Sequence, residues 1–406
     1  MDAIIRSEKV QQAVLDLAEK GWAVIPGVLS AEACDQIERD TWAAMFHVAG
    51  VRRDTPSTWV PLMRIHGIVQ APESLYHCKP VWEARKAVAP YFAELYQDGE
   101  LASSFDRICV YPEPGARHTK SGAWLHTDQS PLRDEERPAC IQGFVDLRGT
   151  GPLDGGLVVA DKSHLAHRRL LLEEFKIQDA VNIKADTGKH TKKNNIAKDW
   201  YKFTDQEEAY IYKHFNVHKV ECPRGSLVIW DSKTIHQNTP PKPGGGARFV
   251  IYTCMQPWRF ITDEKRRMIA RADKLNAYTG MRGTSHWPLN NTLFTPPRTY
   301  GKPQPEYKRL PAFAAQPDLD LPENIMIARL VGYKDGPAVE DMSIPVGITQ
   351  AHYLITLPPK PHLAGRITCT SVRKALAPPA AAPKKRKRAA ATEEEKEGRA
   401  KRSRLE

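Results

Sequence analysis

Three residues of the sequence could together hold a metal ion. His126 and Asp128 form the only His-x-Asp motif of the chain, in the segment AWLHTDQS, and His236 follows the run LVIWDSKTI. Alternate residues of a strand point to the same side, so His126 and Asp128 can reach one ion. Two histidines and a carboxylate on neighbouring strands form the facial triad that binds non-haem Fe(II) and leaves coordination positions open. A lone His-x-Asp motif is also common by chance, and a surface turn with His126 stacked on Trp124 is the alternative.

Arg248 adds a third element to this pattern, after the His-x-Asp motif and His236. It lies twelve residues after His236, in the run ARFVIYT. An arginine on the next strand can bind a carboxylate through two parallel hydrogen bonds. An enzyme that uses 2-oxoglutarate needs such a group to hold the distal carboxylate while the keto-acid end chelates iron. Taken alone, Arg248 could be a strand-edge surface arginine, but three elements in order on predicted strands favour the combined site.

The part of the chain that carries these residues is predicted to be mainly β. From residue 104 onward, short runs rich in Val, Ile and aromatic residues are bounded by Gly, Pro, Asp or Ser, as in IQGFVDL, GGLVVAD and ARFVIYT. This cadence is typical of an antiparallel double-sheet jelly roll. Helical apolar spacing is found at 8–20, 80–97 and 262–277. We therefore predict a double-stranded β-helix (jelly-roll, cupin-like) core with flanking helices at the N-terminus and after the last strand.

Changes in pattern along the chain suggest the domain boundaries. Residues 1–100 are predicted to form a strand-and-helix flank, and residues 101–290 the jelly-roll core with a polar insertion at 173–213. Residues 291–372 form a Pro-rich extension of unassigned structure. Residues 373–406 are predicted to be a disordered basic tail.

The positive charge of the chain is concentrated in that tail. The total net charge is +11, of which the last 34 residues carry +7 and the preceding 372 carry only +4. The run PKKRKR at 383–388 resembles a nuclear localisation signal, which would bind an import receptor and place the protein in the nucleus rather than the cytoplasm. Short basic runs also occur as solvated tails or as nonspecific phosphate-binding segments.

Composition excludes several classes of protein. Hydrophobic residues at 41% and charged residues at 26% are ordinary values for a globular chain, and they exclude a fibrous or wholly disordered one. The seven cysteines are widely spaced without a CxxC motif, so we expect neither a disulfide framework nor a Cys-rich zinc site. The first 21 residues lack a long apolar run, so we expect a soluble intracellular protein with no membrane partner.

The sequence resembles the phytanoyl-CoA dioxygenase family of Fe(II)/2-oxoglutarate oxygenases over residues 9–290. GWAVIPGVLSAEACDQIERD is similar to that family's N-terminal strand and helix, and WLHTDQSP to its His-x-Asp strand. GGLVVADKSHLAH is similar to the segment in which a Gly-Gly turn leads to a Ser-His loop. RGSLVIWDSKTIHQN and ARFVIYTCMQP are similar to the strands of the distal histidine and the arginine.

The resemblance implies roles for particular residues. It implies catalytic iron ligands at His126, Asp128 and His236, 2-oxoglutarate binding by Arg248, and a co-substrate pocket lined by Tyr111 and Phe144. The family often has Trp where this chain has Phe144. The implied reaction hydroxylates an organic substrate, either a small molecule or a nuclear macromolecule, with O₂ while 2-oxoglutarate is converted to succinate and CO₂. Halogenating relatives lack a carboxylate at the position that corresponds to Asp128, so the presence of Asp128 favours oxygen insertion over halogenation.

Two other functional classes stay open at this point. The first is a catalytically inactive oxygenase scaffold that acts in the nucleus through its basic tail, and such a protein does not need all four site residues. The second is a hydrolase with Zn²⁺ on the triad, which leaves Arg248 unexplained. His164 and His167 could bind a metal, although a loop pair over the barrel mouth is favoured because no carboxylate or cysteine accompanies them. His286, in TSHWP, could line the substrate entrance or form a structural turn.

Overall fold

The fold consists of two five-stranded antiparallel sheets with a layer of helices. The computed structural model describes residues 7–113, 124–133, 139–177, 199–294, 303–336 and 338. Its strands are β1 (Trp22–Ile25), β2 (Leu101–Ser103), β3 (Ile108–Tyr111), β4 (His126–Thr127), β5 (Ile141–Asp146), β6 (Gly156–Ala160), β7 (Tyr201–Lys202), β8 (Val217–Lys219), β9 (Ser226–Asp231), β10 (His236–Thr239), β11 (Arg248–Tyr252) and β12 (Met255–Pro257). The major sheet has the order β1-β9-β5-β11-β3, and the minor sheet has the order β7-β4-β10-β6-β8. β2 and β12 form a separate pair.

Helices lie before, between and after the strands in chain order, and three of them, near 8–20, 80–97 and 262–277, are those that the apolar spacing predicts. They are α1 (Glu8–Lys20), α2 (Ala31–Ala49), α3 (Lys79–Tyr96), α4 (Ser163–Arg169), α5 (Asp205–His214), α6 (Glu264–Thr279) and α7 (Ile325–Leu330). α1 ends at Gly21, whose φ of 89° is a left-handed conformation that favours glycine. The side chain of Ser30 caps α2 by accepting a hydrogen bond from the Ala33 N–H. No helix in the described ranges combines the length and apolarity needed to span a bilayer.

The two sheets pack face to face around a common interior. Along β11, Val250 and Tyr252 pack into this interior, whereas Phe249 and Ile251 face the helical layer formed by α1, α2 and α3. Burial of one large apolar side chain of this kind stabilises the fold by about 1.5–3 kcal/mol. The prediction of a double-stranded β-helix core with flanking helices is therefore confirmed.

Two segments without a predicted structure contribute to this fold. The described end of the predicted polar insertion contains β7, which pairs with β4, and α5, which begins with a capping box of Thr204 and Glu207. Within the Pro-rich extension, α7 buries Ile327 and Leu330 against the helical layer. The predicted disordered tail at 373–406 lies outside the described residues.

Candidate active site

Two histidines and one carboxylate converge between the sheets. His126 and His236 are paired in register across β4 and β10, and Asp128 follows directly after β4. Each of the three residues offers one ligand atom, and these atoms lie within 4.8 Å of one another. The Nε2 atoms of His126 and His236 lie 3.6 Å and 3.4 Å from Asp128 Oδ2. All three side chains are buried, so the structure brings together the triad that the spacing predicts.

The other polar atoms of the triad already have hydrogen-bond partners. The Nδ1 atoms of His126 and His236 bond to the backbone carbonyls of Trp124 and Thr234, at 3.0 Å and 2.9 Å. A carbonyl oxygen can only accept a hydrogen bond, so Nδ1 is the donor and carries the proton, which leaves the Nε2 lone pair free for a metal. Gln142 Nε2 donates a hydrogen bond to Asp128 Oδ2 at 3.1 Å. Gln142 was not predicted from the sequence, although it lies two residues before Phe144 on β5 and therefore faces the same side.

Charge and burial favour the protonation states that metal ligands need. Burial lowers the pKa of His126, and the neighbouring His236 lowers it further, so this imidazole is neutral. Burial alone would raise the pKa of Asp128, but His286 and His126 together bring it well below its ordinary range. A neutral imidazole and an ionised carboxylate can both donate a lone pair to a cation.

Arg248 is the second candidate binding group, on the major sheet. It begins β11 directly opposite Tyr111 of β3, and only 2% of it is exposed. Its guanidinium lies 4.9 Å from the ring centre of Phe144, and its Nη1 donates to Cys109 Sγ at 3.2 Å. Its Nε and Nη2 atoms have no hydrogen-bond partner within the described residues. Buried donors rarely stay unpaired, so this fork fits a carboxylate ligand.

A row of aromatic rings links Arg248 to the triad. Phe144 lies 5.8 Å from Trp230, which lies 5.2 Å from His236. A cavity of about 250 Å³ is lined by the triad together with Trp230 and residues of several loops. Arg248 and Tyr111 line a second cavity of about 350 Å³. The structure thus places Tyr111 and Phe144 beside Arg248, where the resemblance implies a co-substrate pocket.

The remaining histidine predictions separate into two outcomes. His164 and His167 lie on α4 rather than on a loop, and their Nε2 atoms bond to the carbonyls of Ala18 and Gln129. These hydrogen bonds engage both Nε2 atoms and join α4 to neighbouring segments, which favours a structural role for the two histidines. His286, in contrast, lines the cavity at the triad.

Comparison with known proteins places the chain in a family. The family described as Phytanoyl-CoA dioxygenase (PhyH) matches residues 17–243, more than half of the chain. The curated protein "Ava biosynthesis cluster protein O" of Aspergillus versicolor is 32% identical over 190 residues, which are 46% of this chain and only 58% of that protein. GlcNAc Inducible Gene 2 from Candida albicans has a structure with a TM-score of 0.48 and 18% identity, covering 84% of this chain and 80% of its own. AviO1 from Streptomyces viridochromogenes gives a TM-score of 0.38 and 16% identity, covering 63% of this chain and 96% of its own.

The triad and the open arginine fork fit the metal and the carboxylate co-substrate that this family uses, and the family match includes the His-x-Asp motif and His236. The chain therefore belongs to the phytanoyl-CoA dioxygenase family of non-haem iron, 2-oxoglutarate-dependent oxygenases.

Proposed function

We propose that the chain is an Fe(II)/2-oxoglutarate-dependent hydroxylase of a small organic molecule. The observation that carries this proposal is the convergence of His126, Asp128 and His236 in one buried site. In this proposal the three side chains hold the iron, and Arg248 binds the distal carboxylate of 2-oxoglutarate. When bound, iron and 2-oxoglutarate supply the oxidising power that inserts one oxygen atom of O₂ into a C–H bond, with release of succinate and CO₂.

The residues around the triad keep its geometry fixed. The backbone carbonyls hold both imidazole rings at Nδ1, and Gln142 holds the carboxylate of Asp128. Trp124 stacks on His126 with ring centres 4.4 Å apart. These contacts orient the ligand atoms and keep bulk water away from the reacting centre, which is the contribution a protein makes to cofactor chemistry.

Two observations support a small molecule as the substrate. The cavity at the triad holds about 250 Å³, which suits a compact organic molecule. The curated relative is named for a biosynthesis cluster, a context in which small molecules are made. A nuclear macromolecule, the other substrate class that the sequence leaves open, has no observation of this kind in its favour.

Succinate formation tests the proposed activity. The full chain is purified and loaded with Fe(II) without oxygen, then given 2-oxoglutarate and air, beside His126→Ala and the surface control His47→Ala. Turnover without substrate is commonly slow in such enzymes, so 2-oxoglutarate binding is measured in the same samples. We expect binding and succinate from the wild type and His47→Ala, and neither from His126→Ala. A wild type that holds iron but neither binds 2-oxoglutarate nor forms succinate would favour the inactive nuclear scaffold.

Metal analysis separates the oxygenase from the zinc hydrolase. The chain is expressed and purified without oxygen, so that bound Fe(II) is retained, and its metal content is measured. We expect iron at up to one equivalent, and loss of that iron in His236→Ala. Zinc at one equivalent, with no gain of 2-oxoglutarate binding on exchange for Fe(II), would support the hydrolase.

Nuclear import through residues 383–388 is a separate part of the proposal. Fusion of the full chain to a fluorescent protein tests it directly. We expect nuclear fluorescence, and its loss when Lys384 and Lys385 are both replaced by Ala. Equal distribution of both fusions between nucleus and cytoplasm would contradict it.

A further inference from the structure

One wall of the cavity at the triad comes from a hairpin that follows α6. Residues 283–294 fold back on themselves, with a bridge between Thr284 and Leu293 and a hydrogen bond from the Phe294 N–H to the Gly283 carbonyl. Ser285, His286 and Phe294 of this hairpin line the cavity. The hairpin lies beyond residues 17–243, so the family match does not include it.

The hairpin is fixed to the segment before β3. The Thr284 N–H donates to the Phe105 carbonyl at 3.1 Å, and the Phe105 N–H donates to Thr284 Oγ1 at 3.0 Å. At Gly283 an added Cβ would lie 2.6 Å from Phe294 and 2.7 Å from Tyr76, so this close approach requires glycine. These two hydrogen bonds between Thr284 and Phe105 bring the hairpin beside the next residue, Asp106.

His286 presents an open nitrogen to the cavity. Its Nε2 atom is buried and has no hydrogen-bond partner in the part of the chain that the structure describes. Its ring packs against Trp287 with centres 5.4 Å apart, and its backbone carbonyl accepts a hydrogen bond from Cys140 Sγ. The ring is therefore held in place by other contacts while Nε2 stays available for a ligand.

Asp106 lies on the same wall and complements His286. It is only 8% exposed, and its Oδ1 accepts a hydrogen bond from the Arg107 N–H at 2.7 Å. Burial raises the pKa of Asp106, and the nearby Arg107 and His286 offset part of that rise. Both Asp106 and His286 line the cavity at the triad. A carboxylate accepts hydrogen bonds and an imidazole N–H donates one, so the pair matches a group that does both.

The rest of the cavity selects an apolar, ring-shaped molecule. Its aromatic lining comprises Trp124, Trp200, Trp230, Tyr252 and Phe294. A carboxylate on the substrate is disfavoured because Asp106 and Asp128 face the same space. A cation is disfavoured because Arg107 also lines the cavity and because the triad is proposed to hold iron.

We infer that His286 and Asp106 bind a hydroxyl group of an aromatic substrate and so orient its ring at the triad. The hydroxyl donates to Asp106 and accepts from His286 Nε2. This inference rests on the proposed oxygenase function and adds the substrate class to it.

A matched pair of probes tests the inference without knowledge of the natural substrate. 4-Ethylphenol and ethylbenzene differ only in the hydroxyl group. Each is titrated into the full chain loaded with Fe(II) and 2-oxoglutarate in the absence of oxygen. Broadening of the probe's proton NMR signals by the paramagnetic iron reports only molecules that are bound near the metal.

We expect 4-ethylphenol to bind about three- to ten-fold more tightly than ethylbenzene, because a net hydrogen bond is worth about 0.5–1.5 kcal/mol. His286→Phe keeps the ring contact with Trp287 but removes the nitrogen, so the preference should fall below about two-fold. His286→Gln restores a polar group and should regain part of it. His47→Phe, at an exposed histidine of α2, should keep the wild-type preference.

The wild type alone can overturn the inference. Equal affinity for the two probes, or binding of neither by a chain that binds 2-oxoglutarate, would contradict it while leaving the oxygenase function intact. A preference that persists in His286→Phe would also contradict it. Failure to bind 2-oxoglutarate in the same samples would instead contradict the proposed function.

Discussion

Two buried arginines, one in the helical layer and one between the two sheets, differ in how many of their side-chain nitrogens have a hydrogen-bond partner. Arg85, on α3, is fully buried, and its Nη1 and Nη2 atoms donate to the backbone carbonyls of Tyr76 and Asp106 at 2.5 Å and 3.0 Å. Its guanidinium also lies over the ring of Trp82, 4.8 Å from the ring centre. Arg248 is buried to almost the same degree, but within the described residues the hydrogen bond from its guanidinium goes to the sulfur of Cys109.

The difference shows that open donors, more than burial, mark a binding residue. An unpaired buried donor costs about 1–3 kcal/mol, a penalty that a ligand can remove. Both terminal nitrogens of Arg85 have partners within the fold and join α3 to the loop before β3, and only its Nε lacks a partner among the described residues. The Nε and Nη2 atoms of Arg248 lack hydrogen-bond partners within the described residues, and they gain partners only when a carboxylate binds. The fold tolerates this cost at the site because the surrounding sheets hold β11 in place.

Replacement of Arg248 should produce the largest effect of this comparison. We expect Arg248→Met to weaken 2-oxoglutarate binding about a hundred-fold, because hydrogen bonds to charged groups are worth about 1.5–3 kcal/mol each. Arg248→Lys keeps the charge but loses the fork of parallel N–H donors, so its affinity for 2-oxoglutarate should lie between those of the wild type and Arg248→Met. The free energy of unfolding without 2-oxoglutarate should stay equal or rise, because a poorly paired buried charge is removed. Calorimetric titration and urea unfolding of the three proteins measure both quantities, and unchanged 2-oxoglutarate binding by Arg248→Met would remove Arg248 from the site.

Replacement of Arg85 should have the opposite signature. Arg85→Met leaves the carbonyls of Tyr76 and Asp106 without their donor, so we expect a loss of about 2 kcal/mol in the free energy of unfolding. 2-Oxoglutarate affinity of the folded fraction should change little. If Arg85→Met were as stable as the wild type, the distinction between the two arginines would fail.

The difference between these arginines could not be read from the sequence. The twelve-residue spacing from His236 singles out Arg248, but Arg85 is one residue within a helical pattern. The partners of Arg85 lie 9 and 21 residues away, in a short 3-10 helix and in a loop, and no periodicity relates them to it. A strand period of two, in contrast, places His126 and Asp128 together, and it also relates Gln142 to Phe144.

The substrate side of the site was the least predictable part. His286 reaches the triad because Thr284 bonds to Phe105, a contact between residues 179 positions apart. Such a contact depends on tertiary packing and has no local signature, so the sequence left open whether His286 lines the entrance. The short strand β7 was missed for a different reason, since its two residues are too few to show alternation. The helix that follows it did carry a signal in the Thr204 and Glu207 capping box.

Gln142 extends the comparison to the metal end of the interior, where polar atoms already have partners. Its amide holds Asp128, and loss of such an outer contact typically weakens metal binding by about 10–100-fold. We expect Gln142→Leu to raise the dissociation constant for Fe(II) about ten-fold, with 2-oxoglutarate binding at saturating iron unchanged. Competition with a chelator measures the constant. If iron affinity stays the same while 2-oxoglutarate binding weakens, Gln142 belongs to the co-substrate pocket.

A third buried cation, Lys274 on α6, should have the smallest effect on stability, and that effect should depend on pH. Its Nζ donates to the Ser103 carbonyl at 2.8 Å, and burial, with a further contribution from Arg85, lowers its pKa to about 7. The unfolded chain has an ordinary lysine pKa of about 10.4, so above pH 7 it binds more protons than the folded chain at this group. Stability from Lys274 should therefore rise with pH, by about 1 kcal/mol between pH 7 and 8.

Lys274→Met removes the titrating group and keeps a side chain of similar length. Its free energy of unfolding should lack the rise that the wild type shows between pH 7 and 8, and it should exceed the wild-type value most at the lower end of that range. Urea unfolding of both proteins at matched ionic strength gives the difference at each pH. Parallel curves would mean that Lys274 keeps its proton across this window, as a cation fully satisfied by Ser103 and the ring of Phe105 would do. In that case Lys274 would resemble Arg85, and Arg248 would stand apart from both.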